Sequence, residues 1–233
     1  MGPDCASIDF PSRSMMAARL GDLLAVIAGD AIAARGRFEM AVSGGSTPEA
    51  LYRYFAGKTL PWSSVHLTLV DERWVSADHP RSNETFVKNA FSHAEGVQIH
   101  GLYRDRTKPS RAAAAVENDL ADRGEFDCVI LGMGDDGHTA SWFPHADGLN
   151  EALSGEAKAF AVAAQKSAVT GDETERMTLG LRAIEKARLI ILLLAGDGKR
   201  AAFVKALEDG PVEAMPVRAI LRARPDLWVC WAP

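Results

Sequence analysis

Four short apolar runs stop abruptly at polar loops, and this arrangement limits what the chain can fold into more than any other feature. FEMAV (38–42) ends at SGGSTP, VHLTLV (65–70) at DERWV, FDCVIL (126–131) at GMGDDGH, and RLIILLLA (188–195) at GDGK; LWVCW (227–231) is a fifth run. Stretches with helical spacing lie between them, at 47–57, 82–91, 109–124, 179–187 and 199–210. Strands alternating with helices imply βαβ units and a parallel sheet. Runs that are apolar at nearly every position imply strands covered on both faces. The expected fold is α/β: a three-layer α/β/α sandwich with a mainly parallel central sheet, as a single domain over residues 1–233. A further helix is expected near the start, where Met15, Met16, Leu20, Leu23, Leu24, Ile27 and Ile32 form an apolar stripe, with Ser12 or Ser14 as its cap and Gly36 as its stop. Residues 145 to 175 are the least legible, and TGDETE (170–175) reads as an exposed loop.

Composition narrows the function classes. The chain has 233 residues, 47% hydrophobic and 24% charged, which is ordinary globular usage and enough for a sizeable core. A net charge of −5 gives no general attraction to nucleic acid, so an anionic ligand would need a local cluster of Arg and Lys. LIILLLA is far too short to span a bilayer. The first residues, MGPDCASIDF, have neither a signal-peptide pattern nor the Ser or Thr of a myristoylation site, Ala6 standing in its place. Cys5, Cys128 and Cys230 are an odd count at wide spacing, not a disulfide framework. Cys128 and Cys230 are expected as buried thiols, and a reducing, cytoplasmic setting fits them.

In open α/β sheets, ligands bind outside the carboxyl ends of the strands. Four strand ends here carry Gly, Asp, Ser, Arg, His or Lys. In SGGSTPEAL, Gly44 and Gly45 permit close backbone approach, Thr47 suits an N-cap and Pro48 the N1 position, so Ser43 to Thr47 form a candidate phosphate seat at a helix N-terminus. It is not a P-loop, because G-x-x-x-x-G-K-[ST] is absent. In DER, Arg73 suits either a phosphate clamp or an oxyanion, and Asp71 either orients a neighbour or binds a sugar hydroxyl. Ser82 reads as the N-cap of the next helix. Arg176 and Lys199 read either as phosphate ligands or as surface charges.

LGMGDDGHTASWFP (131–144) contains G-x-G-x-x-G, but the reading as a dinucleotide site fails. Pro144 interrupts any helix, and the strand-like AFAVAA that follows ends without an acidic residue. Asp135, Asp136, His138 and His145 have no standard zinc spacing. What remains is His138 at a strand end, expected in the first turn of a short helix, where the local field favours neutral imidazole and Asp136 works in the opposite direction.

Taken together, VSGGSTPEALY, VHLTLVDERWV, HPRSNETF, CVILGMGDDGHTASWFP, ERMTLGL, LLLAGDGKRAAF and PVRAIL resemble the 6-phosphogluconolactonases of the glucosamine-6-phosphate isomerase/6-phosphogluconolactonase family, over nearly the whole chain. The resemblance implies the glucosamine-6-phosphate isomerase fold and hydrolysis of 6-phospho-D-glucono-1,5-lactone in the oxidative pentose phosphate pathway. It implies no metal or other cofactor, a small-molecule partner rather than nucleic acid or membrane, and a monomer or small homo-oligomer. By the same resemblance His138 matches the catalytic histidine, Asp71 and Arg73 the DER pair, Ser43, Gly44, Gly45, Ser46 and Thr47 the phosphate-side loop, and Arg176 and Lys199 the basic positions holding the phosphate. The chain departs from the pattern ahead of Arg176, with GDETER where the family usually has prolines. Related deaminases resemble DGHIAFNEP, with Glu before the proline. This chain has Phe143 there, which ranks lactone hydrolysis above deamination. Sugar-phosphate sensor domains that bind without turnover resemble the same fold. The negative charge and the retention of His138 beside Arg73 favour chemistry over sensing.

Overall fold

The computed structural model describes residues 6–121, 123–167 and 170–233. Cys5 and the segment read for a leader or acyl group, 1–5, lie outside the described residues. Chain order is β1 (Ala6–Asp9), α1 (Arg13–Arg35), β2 (Phe38–Val42), α2 (Ser46–Ala56), β3 (Val65–Leu69), β4 (Asp71–Arg73), α3 (Asn83–Ala90), β5 (Gln98–His100), α4 (Pro109–Ala121), β6 (Cys128–Gly132), α5 (Leu149–Ser154), β7 (Ala159–Ala163), β8 (Glu175–Leu179), α6 (Leu181–Glu185), β9 (Leu189–Ala195), α7 (Asp197–Leu207), α8 (Val217–Ala223) and β10 (Trp228–Ala232).

Seven strands form one sheet in the order β1-β10-β9-β6-β2-β3-β5, and every pairing in it is parallel. Its central strands are buried along their length, every residue of β2 and all but the ends of β9, as a parallel sheet covered on both faces requires. The order has a functional consequence. β9, β6, β2 and β3 are consecutive neighbours, so the four chemistry-bearing loops after them emerge side by side at one edge of the sheet.

A second, three-stranded antiparallel sheet, β4-β8-β7, is absent from the sequence reading. It takes in DER, which reads as a loop from sequence, AFAVA from the least legible stretch, and ERMTL just after it. The register sets Arg73 directly opposite Arg176 and Asp71 opposite Thr178. The two sheets join where Leu179 N–H donates to Val70 O, at 2.7 Å.

Helix α1 has Ser12 as its N-cap and Gly36 as its C-cap, as expected. Its apolar stripe is only partly the buried face. Met16, Leu20 and Leu24 are buried, Met15 is exposed, and Ala17, Ala28 and Ala31 fill the rest of the contact, much of it against α2. Cys128 and Cys230 are free, buried thiols. Among the described residues, no helix is long and apolar enough to cross a membrane.

Candidate functional site

At the carboxyl edge of the sheet a cleft of about 260 Å³ is lined by all ten expected site residues: Ser43, Gly44, Gly45, Ser46 and Thr47, Asp71 and Arg73, His138, Arg176 and Lys199. Asn83, Met133 and Phe143 line it too.

The glycine loop runs from β2 into α2, but Thr47 is not the N-cap and Pro48 is not at N1. The helix begins at Ser46, and Gly45 precedes it at φ 103° and ψ 168°, a backbone state that suits only glycine. Among the described residues no side chain caps α2. The first-turn N–H groups therefore stay available to a ligand, with the helix dipole behind them. Ser43 is buried, and its hydroxyl has no hydrogen-bond partner among the described residues.

His138 is not in a helix. The chain turns tightly after β6, with Gly134 N–H donating to His138 O at 2.8 Å and Gly137 N–H to Gly134 O at 3.0 Å. Ala140 follows in the left-handed region at φ 49°. No helix dipole is aimed at the ring from its own segment, and Asp136 is its hydrogen-bonded neighbour. Its Oδ1 lies 2.5 Å from His138 Nδ1 and accepts the His138 backbone N–H at 3.1 Å. An ionised carboxylate only accepts, so Nδ1 carries a proton, and Nε2 is the nitrogen turned away from Asp136. Burial works to raise the Asp136 carboxyl, but hydrogen bonds and charge from His138 outweigh it and hold it below its ordinary value. Gly134 permits this pair, because a Cβ there would collide with both His138 Nδ1 and Asp136 Oδ1. The glycines of G-x-G-x-x-G thus shape a turn and seat no pyrophosphate.

Phe143 contacts both His138 and Arg176. Its ring centroid is 4.5 Å from that of the imidazole and 5.5 Å from the guanidinium carbon. Arg176 is buried, donates to Thr170 O at 3.3 Å, and has no partner for Nε among the described residues. Burial pulls its pKa down to about 10, with Asp71 acting in the opposite direction and the charges of Arg73 and Arg81 adding to the fall. Arg73 donates from Nη1 to Arg81 O at 2.7 Å. Two arginines directly opposite on paired strands repel each other, and Asp71 in the same cleft offsets part of that charge. Lys199, in the first turn of α7, is 3.2 Å from Asp135.

Asp71 is engaged by protein groups. Its Oδ2 accepts from the Ser141 hydroxyl at 2.6 Å and its Oδ1 from Asn83 Nδ2 at 3.3 Å. Ser141 is fully buried, away from the cleft lining, and braces the His138 loop against β4. Asn83, Phe143 and Glu72 received no role from sequence. Period-two alternation in DER and the Ser82 cap, which accepts from Thr85 N at 3.3 Å, were the available signals for Glu72 and Asn83. Glu72 is fully buried, and burial pushes its carboxyl up to about 7 against the pull of the Asn83 and Glu84 N–H groups. Among the described residues no three His, Cys, Asp or Glu side chains converge as a metal site would need.

A parallel sheet whose carboxyl edge carries an aspartate-oriented imidazole, a helix N-terminus without a side-chain cap among the described residues and two facing arginines defines an α/β protein with an anion-receiving cleft. The chain belongs to the family described as "Glucosamine-6-phosphate isomerases/6-phosphogluconolactonase", whose sequence model matches residues 11–231. It is 40% identical over 230 residues to the 6-phosphogluconolactonase of Mesorhizobium japonicum, covering 96% of this chain and 94% of that one. It is 36% identical over 228 residues to that of Rhizobium meliloti, covering 96% and 97%. A crystal structure of a 6-phosphogluconolactonase from Shewanella baltica superposes with a TM-score of 0.93 at 35% identity, over 100% of both chains.

Proposed function

We propose that the protein is an enzyme that hydrolyses 6-phospho-D-glucono-1,5-lactone to 6-phospho-D-gluconate, within the oxidative pentose phosphate pathway and in a cytoplasmic setting, with residues 1–233 as one functional unit. The observation that carries this reading is one cleft in which an imidazole held at Nδ1 by Asp136 shares walls with Arg73 and Arg176. The relatives named above, all 6-phosphogluconolactonases, support it.

The phosphate docks on the Ser43–Thr47 loop, where the first-turn N–H groups of α2 and the Ser43 hydroxyl have no partner among the described residues, with Arg176 and Lys199 supplying charge. That anchor holds C1 near His138. Neutral His138 takes a proton from water at Nε2 while the water oxygen attacks C1. Arg73 stabilises the oxyanion that forms. The C1–O5 bond then breaks and the imidazolium returns its proton to O5, giving the 5-hydroxyl and a carboxylic acid that ionises. Asp136 keeps Nδ1 protonated throughout. Asp71 acts by orientation, holding the His138 loop through Ser141. Phe143 packs against both the imidazole and the Arg176 guanidinium and so holds both side chains in place. No metal or covalent intermediate takes part.

A pH-stat assay on freshly made 6-phosphogluconolactone tests the reading, with glucosamine 6-phosphate run beside it for ammonia release. Rapid acid release that persists in excess chelator is expected, with no ammonia. Ammonia without acid release would move the protein to the deaminase branch, although Phe143 replaces the glutamate that such a branch resembles. Binding of both compounds without turnover would make it a sensor.

A further inference from the structure

Glu72 is fully buried and takes no part in the steps above. Strand alternation sends Asp71 and Arg73 to the cleft and turns Glu72 to the other face of β4, against the first turn of α3. There Oε1 accepts from the backbone N–H groups of Arg73 and Asn83, each at 2.8 Å. Oε2 accepts from Glu84 N–H at 2.8 Å and from the Ser82 hydroxyl at 3.1 Å. The three N–H groups can only donate, and Ser82 Oγ already accepts from Thr85 N, so its proton is free for Glu72. One carboxylate therefore serves four donors.

Two of those donors belong to cleft residues. Asn83 in turn donates from Nδ2 to Asp71 O at 2.9 Å and Asp71 Oδ1 at 3.3 Å. Its Oδ1 occupies the place a Cβ on Gly44 would take, so the glycine loop lies directly on the amide. Glu72 is thus the common tie of Arg73, Asn83 and, through Asn83, of Asp71 and the phosphate-side loop. An amide in its place would bring a donor into a nest of donors, and at least one contact would open.

We propose that Glu72 is a positioning residue of the cleft: by accepting from the Arg73 and Asn83 backbones together, it fixes the spacing between the guanidinium at the reacting carbon and the wall beneath the phosphate loop. This rests on the lactonase reading above. Small misplacements in such a frame cost up to about 10² in rate. Glu72→Gln is therefore expected to lower kcat/KM by about 10- to 100-fold while the near-ultraviolet circular dichroism stays native. Glu72→Asp, which keeps the charge, should fall between Gln and the parent. Glu72→Gln combined with Asn83→Ala should cost little more than Glu72→Gln alone, because both act on one frame. A residue that only stabilised the fold would reduce the active fraction, leave KM unchanged, and add to Asn83→Ala. Additive losses, or a folded Glu72→Gln with kcat and KM both within about twofold of the parent, overturn the proposal. Should Glu72→Gln fail to fold, Glu72→Asp and Asn83→Ala are read by calorimetry with 6-phosphogluconate: weaker binding in both supports the proposal and unchanged binding overturns it. The same titration separates the two readings. If the parent binds 6-phosphogluconate without hydrolysing the lactone, the activity reading alone fails, and Glu72 is judged by whether Glu72→Gln weakens that binding by about fivefold or more. If the parent binds nothing, both fall.

Discussion

The two edges of the seven-stranded sheet both carry buried charge, and they treat it in opposite ways. At the amino-terminal edge the charges close on one another. Asp127, 3% exposed, pairs with Arg35, with Arg188 at 3.4 Å, and accepts Glu39 N–H at 3.0 Å. Glu39 pairs with Arg37 at 3.4 Å. Burial raises its carboxyl, and Arg123 and Arg37 pull it back. At the carboxyl edge, Arg176 Nε and Ser43 Oγ have no partners among the described residues, and Arg73 and Arg176 face each other with like charge. Helix N-termini point toward this edge of a parallel sheet, which adds to the positive potential. Both edges hold arginines and carboxylates, and both leave buried polar atoms without a partner among the described residues, Glu39 Oε2 and Arg123 Nη1 at the amino-terminal edge; what separates a brace from a site is that Arg35, Arg188 and Arg37 are paired with Asp127 or Glu39, whereas Arg73 and Arg176 face each other.

Substitutions at the two edges should therefore separate activity from stability. The largest effect is expected from His138→Ala, which should lower kcat by ~10² to 10⁴ while 6-phosphogluconate still binds; steady-state kinetics with calorimetry would measure both, and near-normal turnover would remove His138 from the chemistry. Arg176→Ala should chiefly raise KM, by ~10- to 100-fold for a buried charged donor. Lys199→Ala should raise it less, ~3- to 10-fold, since Lys199 is partly exposed and shared with Asp135. Equal effects would mean that burial does not govern phosphate affinity here.

Asp127→Asn should do the reverse, leaving kcat and KM unchanged. It should cost ~1 to 3 kcal/mol, discounted because Arg35 and Arg188 are about half exposed, or roughly 2 to 4 °C of Tm per kcal/mol. A drop in kcat with unchanged Tm would break the contrast. The smallest effect concerns pH. Arg123 Nη2 can only donate, so His100 Nδ1, 2.6 Å away, accepts. His100 Nε2 then carries the proton toward His66 Nδ1 at 3.2 Å, and both rings are neutral. Burial, then the charges of Arg123 and His66, pull His100 down to about 4, and burial lowers His66 as well. Above about 6.5, neither state binds these protons. Below it the unfolded chain takes them up and the folded one resists, so stability falls from about pH 6.5 toward pH 4. Urea midpoints at pH 7 and pH 5 should show that fall, and His100→Gln should reduce it. An equal fall in both proteins would place the acid sensitivity elsewhere.

The parallel sheet was legible because FEMAV, FDCVIL and LIILLLA are apolar at almost every position, a signature of strands covered on both faces. Most of the cleft was legible because its residues, Arg176 apart, sit at the ends of those runs or of VHLTLV. The antiparallel sheet was not. DER is three residues long and polar, and ERMTL pairs with it from about a hundred residues away. No local pattern reports such a pairing, so the facing of Arg73 and Arg176 stayed hidden although both residues were singled out. His138 was misplaced in a helix because Gly137 followed by HTAS reads locally as a cap. The Gly134 to His138 hydrogen bond turns the chain instead. Glu72 escaped notice because its neighbours in DER drew the expected chemistry, and its own four donors come from the start of α3, its cap and the following backbone.

A crystal structure with 6-phosphogluconate bound tests the central claim most directly. The phosphate should lie on the Ser43–Thr47 loop within reach of Arg176 and Lys199, with the carboxylate carbon beside His138 Nε2 and one oxygen toward Arg73. A carboxylate lying away from the imidazole, with the phosphate in its place, would contradict it.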